Sequence, residues 1–247
     1  MQLVEERIRT AFEQKHTKLD LSGCELRLLP PEIKSLTTLV ELNLSRNNFI
    51  NLNLEPLGGL TRLNTLHLES MSLVRIPTSI QNLTQLKKLN LANNRIDKLE
   101  DFIGSFTQLE HLSLRNNEVE SIPKQLALLQ QLKYLDLGGI KGNRLQTLPE
   151  VIYDLKELVV LDASSNEIMT ISESIQRLNK LQRLILRNNH LKHIPQAIVQ
   201  LPKLQILDLS FNPTLTTLPE GFQEMKSLHT LHLDQRVLAN PLKKDKR

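Results

Sequence analysis

Cysteine and aromatic residues are scarce in this chain, which has one cysteine, no tryptophan and 3% aromatic residues among 247 positions. A single thiol, Cys24, cannot form a disulfide within the chain, so the disulfide-rich secreted folds are excluded. With so few aromatic rings, the core has to be built from aliphatic side chains. The composition predicts a protein of a reducing compartment, with a cytoplasmic location as the expectation.

Long apolar runs are also missing. No stretch of about 20 apolar residues could span a bilayer, and the N-terminal residues lack the apolar core of a signal peptide. The net charge of +4 and the pI near 9.2 come from cations that alternate with acids, except in the basic stretch 239–247. Without aromatic stacking platforms or a groove of one charge sign, nucleic-acid binding is not expected.

What the chain does contain is one repeated unit. Residues 181–203 follow the template L-x-x-L-x-L-x-x-N-x-L-x-x-I-P-x-x-I-x-x-L-x-x, and most copies are 23 residues apart. A degenerate first copy begins at His16, and a final half-copy begins at Leu228. The sequence predicts a capping helix over 1–15, a domain of nine repeats and a half-repeat over 16–238, and a basic tail over 239–247. The intervening copies begin at Leu39, Leu63, Leu86, Leu109, Leu132, Leu158, Leu181 and Leu204.

Each part of the unit predicts a local structure. Leu184 and Leu186 alternate with positions that face outward, which is the period of two expected of a short strand. Asn189 follows that strand, where its amide can satisfy backbone groups of neighbouring repeats. Ile198 and Leu201 are three residues apart, which suits a 3₁₀ turn or a short α-helical turn after the proline that ends the extended segment.

This pattern resembles the leucine-rich repeat family in its short 23-residue form. Similar repeats occur in Ras-group leucine-rich repeat proteins, in Roco proteins and in bacterial effector proteins. The resemblance implies an α/β solenoid, a horseshoe with a concave parallel β-sheet and short 3₁₀ or α-helical turns on its convex side. It also implies a non-catalytic scaffold, a signalling module or an effector, that binds a protein or a peptide on its concave face.

Two alternatives stay open. The chain could be the regulatory or recognition domain of a larger enzyme, such as a Roco GTPase or a bacterial ligase effector. It could also be an effector that bacteria deliver into a host cell, rather than a cytoplasmic protein of its own organism. We expect a monomer or a weak dimer in either case.

The outward-facing strand positions predict where a partner binds. Most are polar, but four in the C-terminal half are apolar, and strands about 4.8 Å apart could unite them. An apolar centre with a charged rim is typical of a protein interface, although β-branched residues also favour strands for their own sake. We call the four apolar residues Tyr134, Val160, Ile185 and Ile206 the apolar patch. Its expected rim is Arg183, Arg187, Asp136, Asp162 and Asp208.

No cofactor, metal site or catalytic group is predicted. His67 and His111 lie two repeats apart, about 10 Å by strand spacing, which is too far for one ion. Cys24 occupies the position of the ladder asparagine and reads as a structural thiol. The insertion at 138–143, Gly-Gly-Ile-Lys-Gly-Asn, lacks the spacing of a phosphate-binding loop, so we predict a protruding flexible loop that could contact a partner.

Overall fold

The computed structural model describes residues 2–49 and 54–238, and within them ten strands form one parallel sheet in chain order. The predicted tail at 239–247 lies outside the described residues. Every strand is three residues long, because the inward and outward positions alternate only over the L-x-L part of each repeat. The strands are β1 Lys18–Asp20, β2 Glu41–Asn43, β3 Thr65–His67, β4 Lys88–Asn90, β5 His111–Ser113, β6 Tyr134–Asp136, β7 Val160–Asp162, β8 Arg183–Ile185, β9 Ile206–Asp208 and β10 Thr230–His232.

The central residue of each strand points into the core. Leu135 pairs with Leu161 and Leu161 with Leu184, so equivalent leucines stack directly on one another. From β2 to β9 these central leucines have at most 2% of their surface exposed. The inward leucines therefore form one continuous aliphatic layer, which confirms the predicted alternation.

Short 3₁₀-helices lie opposite the sheet and close the core. In the helix Glu150–Asp154, Pro149 precedes the first residue with φ −60° and ψ 145°, which is extended backbone, and Ile152 is fully buried. The predicted fold class is confirmed: a curved, unclosed parallel sheet with 3₁₀ turns on the convex side. The 3₁₀-helices are Pro31–Ser35, Glu55–Gly59, Thr78–Ile80, Asp101–Ser105, Lys124–Leu128, Glu150–Asp154, Glu173–Arg177, Gln196–Gln200 and Phe222–Glu224.

A ladder of buried asparagines joins successive repeats. The Nδ2 of Asn166 donates to the carbonyls of Leu137 at 3.0 Å and Ala163 at 3.2 Å, and its Oδ1 accepts the backbone N–H of Leu145 at 3.1 Å. One side chain thus satisfies backbone groups of its own repeat and of the repeat before it, as predicted. Equivalent side chains are Asn47, Asn94, Asn117, Asn143, Asn189 and Asn212.

Two α-helices flank the solenoid, α1 at Gln2–Glu13 and α2 at Gln235–Leu238. Val4, Ile8 and Ala11 of α1 are buried against the first repeat, whereas Phe12 is 57% exposed. Each helical residue turns about 100°, so Phe12 lies at the margin of the face that Ala11 buries. No helix in the described part of the chain is long and apolar enough to cross a membrane.

The glycine-rich insertion is packed at its base and exposed at its tip. Ile140 is 88% exposed, so the loop protrudes as expected. Gly142 is buried with φ +64°, and a Cβ there would lie 1.5 Å from the carbonyl oxygen of Ser165. A Cβ on Gly139, at φ +128°, would lie 2.0 Å from Oδ1 of Asn116. The glycines are therefore required by close approach to both neighbouring repeats, and the predicted flexibility stays a prediction.

Candidate functional site

The concave face consists of three columns of outward-facing side chains that cross the ten strands. The register aligns the first residues of all strands with one another and the last residues likewise. The third column follows two residues after each strand ends. These columns place every predicted site residue on the same side of the sheet.

The apolar patch is staggered across four strands. Tyr134 and Val160 are paired neighbours in the first column. Ile185 lies in the second column, between Asp162 and Asp208. Ile206 returns to the first column, where it pairs with Arg183.

All four side chains of the apolar patch are half-buried. They are less accessible than the sequence indicates, because adjacent strands about 4.8 Å apart cover the flanks of each side chain. The exposed parts of these four side chains are accessible to a partner that enters the concave side.

An aromatic pair extends the apolar patch toward the N-terminal strands. The rings of His111 and Tyr134 stack with centroids 5.7 Å apart and planes 30° apart. Burial, together with the positive charge of Lys88, lowers the pKa of His111. Burial, followed by the charge of Asp136, raises the pKa of Tyr134. Both rings are therefore favoured in their neutral forms at neutral pH, which suits an apolar contact.

Arg115 bridges two acids that we expected on the rim. Its Nη1 lies 3.6 Å from Oδ2 of Asp136 and 3.5 Å from Oδ2 of Asp162, although Asp162 belongs to a strand two positions along the sheet. Gly138 occupies the column position after Arg115, and a Cβ on it would be 2.4 Å from Oδ1 of Asp162. The missing side chain at Gly138 thus leaves the space that this ion pair uses.

Asp136 is under the surface instead of on the rim, with 4% of its area exposed. Its Oδ1 accepts the backbone N–H of Gly138 at 3.0 Å, and the hydroxyl of Tyr134 lies 3.5 Å from Oδ2. Burial raises the pKa of Asp136, and the nearby charge of Asp162 raises it further. The carboxylate is therefore committed to the fold and is a poor contact for a partner.

A second-column Asp or Asn closes a tight turn after many strands. In each case its Oδ1 accepts the backbone N–H two residues later, which is the geometry of an Asx turn. Asp162 and Asp208, both expected on the rim, bond in this way to Ser164 at 2.9 Å and Ser210 at 3.0 Å. Sequence reasoning missed this role, although the recurrence of Asp or Asn at one repeat position is its signal. The same turn occurs at Asp20, Asn43, Asn90 and Asp136.

Two arginines of β8 and the segment after it project from the concave face. Arg183 and Arg187 are both exposed, and no ion pair between described residues includes either of them. The guanidinium of Arg187 lies 4.1 Å from the ring centroid of Phe211, and its Nη1 donates to Oγ of Ser210 at 3.3 Å. The sequence did not single out Phe211, which contributes to this surface through its contact with Arg187.

Among the residues that the structure describes, no group of three His, Cys, Asp or Glu side chains could hold a metal ion. Cys24 is half-buried against the core, where its Sγ lies 3.6 Å from the carbonyl of Ser22 and accepts from Nη1 of Arg7 at 3.6 Å. These contacts fit the structural role predicted for the thiol.

Comparisons with known proteins agree with this architecture. A family model described as leucine-rich repeat matches residues 84–145, 107–168, 139–191 and 179–237, and a second model of that description matches residues 17–36. No curated protein sequence matches the chain.

Several solved structures are similar. A leucine-rich repeat protein of Leptospira interrogans is 36% identical over 92% of this chain, with a TM-score of 0.86, and the chain spans 57% of its length. The leucine-rich repeat ectodomain of the Arabidopsis thaliana receptor kinase GASSHO1/SCHENGEN3, in complex with CASPARIAN STRIP INTEGRITY FACTOR 2, is 30% identical over 83% of this chain and 26% of its own, with a TM-score of 0.70. Internalin C2 from Listeria monocytogenes shares the fold, with a TM-score of 0.69 and 21% identity over 93% of this chain and 91% of its own.

Proposed function

The chain belongs to the leucine-rich repeat family, and on that premise we propose that it is a non-catalytic module that binds a protein or peptide on its concave face. The single observation that carries the proposal is the alignment of the apolar patch in adjoining columns of one sheet. Partly exposed apolar side chains that adjoin one another are typical of interaction sites.

The similar structures support this kind of function. The receptor kinase ectodomain is in complex with a partner, so the same architecture carries a binding surface in that protein. The regulatory-domain alternative receives no support from the similar structures, and it stays a prediction. A reducing compartment, either the cytoplasm or a host cell that receives an effector, is part of the proposal because Cys24 has no disulfide partner.

A double substitution tests the proposal. Tyr134→Ala with Ile185→Asp removes the aromatic ring of the apolar patch and introduces a charge at its centre. Truncation of a hot-spot residue weakens binding by about 2 kcal/mol or more, which is more than tenfold. We expect partners captured by immobilised wild-type protein from an extract of the native organism to be lost with the variant.

The control changes an exposed apolar residue elsewhere. Leu128 is 56% exposed on the convex helix Lys124–Leu128, so Leu128→Asp introduces the same charge away from the concave face. Capture should persist with this variant. If the double variant keeps its partners while circular dichroism shows a native fold, the apolar patch is not the binding site.

A further inference from the structure

Strand β8 and the segment after it present a row of three side chains, Arg183, Ile185 and Arg187, which we call the Arg-Ile-Arg row. Cations nearby in the sheet are already paired, as Arg115 is with Asp136 and Asp162. The two arginines of the row are exposed and make no ion pair within the described chain. Their guanidiniums are therefore available for an external anion.

The acids beside the row are engaged in bonds within the fold. Oδ1 of Asp208 accepts both the backbone N–H of Ser210 at 3.0 Å and its Oγ–H at 2.6 Å. Asp162 is held by Arg115 and by its own turn. Both carboxylates are half-buried, whereas Arg183 and Arg187 are exposed, so the guanidiniums are the more accessible charges around β8.

Arg187 is held in place by an aromatic residue, Phe211. Phe211 has φ +59°, a left-handed conformation that is costly for a bulky side chain, and it is 55% exposed. Its ring stacks under the guanidinium of Arg187, and its N–H donates to Oδ1 of Asp234 at 2.9 Å. Among the described residues, Phe211 is the one aromatic residue in this conformation. At the equivalent position the other repeats also have positive φ, on Gly23, Arg46, Ser70, Asn93, Asn116, Gly142, Ser165 and Asn188.

The left-handed conformation is a feature of the repeat, and the exposed aromatic ring is what is particular to Phe211. A surface-exposed phenylalanine in this conformation contributes little to the core. It does restrict Arg187, and it also lines a depression of about 700 Å³ with Asn188, Pro213, Asp234 and Gln235. The ring of Phe211 is thus part of a surface that is open to a ligand.

We propose that the Arg-Ile-Arg row, with Arg187 held by Phe211, selects an extended acidic segment of a protein partner with the pattern acidic-x-apolar-x-acidic. The proposal rests on the proposed function, since the apolar residue of the segment contacts Ile185 within the apolar patch.

The spacing of the pattern follows from strand geometry. A strand rises about 3.3 Å per residue, so Arg183 and Arg187, which lies two residues beyond the end of β8, start at most about 13 Å apart, with Ile185 between them. In an extended partner, residues i, i+2 and i+4 point to one side with the same spacing. Each guanidinium can form two parallel hydrogen bonds with a carboxylate, and arginine loses less hydration than lysine in doing so.

Selection from a random 12-residue peptide library displayed on phage, with wild-type protein as bait, tests the proposal. Synthetic peptides containing Asp-Ser-Leu-Ser-Asp, Lys-Ser-Leu-Ser-Lys and Asp-Asp-Leu-Ser-Ser then separate charge from spacing, with binding measured by fluorescence anisotropy. The protein variants are Arg183→Gln, Arg187→Gln, Phe211→Asn and Ile185→Ser. Arg62→Gln is the matched control, because Arg62 is exposed and lies away from β8.

The expected result is enrichment of acidic residues four positions apart around an apolar one. Binding of the Asp-Ser-Leu-Ser-Asp peptide should fall about threefold to tenfold in Arg183→Gln and Arg187→Gln, and should weaken with added salt. Phe211→Asn should weaken binding without lowering the urea midpoint of unfolding. Arg62→Gln should bind as wild type does.

Two other results would overturn the inference, and only the second of them would also contradict the proposed function. If the selected peptides depend on Ile185 but lack the acidic pattern and ignore both arginine variants, the partner chemistry is wrong and the proposed function stands. If no peptide is selected, or if none depends on Ile185, the concave site itself is wrong and the inference falls with it.

Discussion

At the scale of single residues, each ladder asparagine serves several backbone groups that have no access to water. Asn166→Ala leaves the carbonyls of Leu137 and Ala163 and the N–H of Leu145 without this partner. A buried polar group without a partner costs about 1–3 kcal/mol, and the repeat can relax in part. We expect a loss of about 3 kcal/mol in the free energy of unfolding, measured by urea denaturation.

The control for that substitution lies in the same repeat. Asn179 is exposed, so Asn179→Ala should change the free energy of unfolding by no more than about 0.5 kcal/mol. Equal losses for the two variants would show that the ladder is not what joins the repeats.

Phe211 provides a second prediction at this scale. A left-handed backbone costs a bulky residue about 1–2 kcal/mol, whereas an exposed cation–π contact contributes about 0.5–1 kcal/mol. Phe211→Asn should therefore leave stability unchanged or raise it by up to about 1 kcal/mol. Phe222 is buried in the last 3₁₀-helix, and Phe222→Asn should be clearly destabilising under the same urea titration. A large loss on changing Phe211 would show that its ring supports the fold.

The buried carboxylate of Asp136 predicts a pH dependence. Its folded pKa is raised above the ordinary value of 3.8, so the folded state holds this proton more tightly than the unfolded state. Its contribution to stability is fully present below the unfolded pKa and is lost as pH rises through the folded pKa. Asp136→Asn keeps an oxygen acceptor for Gly138 and has no such titration.

Urea unfolding of wild type and Asp136→Asn between pH 3 and pH 8 tests that linkage. The stability of wild type relative to the variant should fall as the pH rises through the folded pKa of Asp136. A relative gain by wild type over this range would mean that the Arg115 ion pair outweighs the burial of the carboxylate.

At the scale of elements, the loop at 138–143 depends on glycine for two separable reasons. Gly142 and Gly221 both have positive φ, at +64° and +73°, but a Cβ on Gly221 would meet nothing within 4 Å. Gly221→Ala should cost about 1–2 kcal/mol, from backbone conformation alone. Gly142→Ala should cost clearly more, because its Cβ would collide with Ser165 of the next repeat.

Thermal unfolding of these two glycine variants separates the two reasons. If they unfold at equal temperatures, the loop adjusts without disturbing the next repeat. In that case Gly142 matters only for its backbone conformation.

The strands and their register could be predicted from the sequence, because leucines two residues apart fix which side faces the core. The position of the apolar patch could also be predicted, because the outward-facing residues of successive strands align in columns. The accessibility of the patch could not, since it depends on how closely the neighbouring strands cover each side chain. The ion pair of Arg115 with Asp162 crosses two strand spacings through the gap at Gly138. Contacts of this kind join side chains 47 residues apart and have no counterpart in a repeat template.

Tyr153 shows the same limit in the convex layer. It follows the template position of Ile152 and reads as an outward residue, yet it is fully buried and its hydroxyl accepts the N–H of Ser172 at 3.3 Å. Burial raises the pKa of Tyr153 to about 12. The orientation of the Tyr153 side chain depends on packing between neighbouring convex turns, so the pattern of a single repeat does not predict it.

At the scale of the whole molecule, stability is a sum of similar interfaces between neighbours, and the ends are the weak points. Helix α1 covers the first repeat with Val4, Ile8 and Ala11. Removing residues 2–13 should expose that apolar surface, so we expect faster amide hydrogen exchange in β1 and β2 than in wild type.

Exchange in β6 and β7 should change little in the same truncated protein, because interfaces in a repeat array act on adjacent units. Mass spectrometry of deuterium uptake measures both regions at once. Uniform acceleration along the whole chain would instead show that the solenoid unfolds as one cooperative unit.

The repetition of the same asparagine bonds and leucine stacking from one unit to the next has a consequence for how such a chain can change over time. A duplication or loss of one complete 23-residue unit would restore equivalent contacts at the junction, so the gene could lengthen or shorten without a new folding solution. The reach of the concave surface can thus evolve separately from the identity of the side chains that it displays.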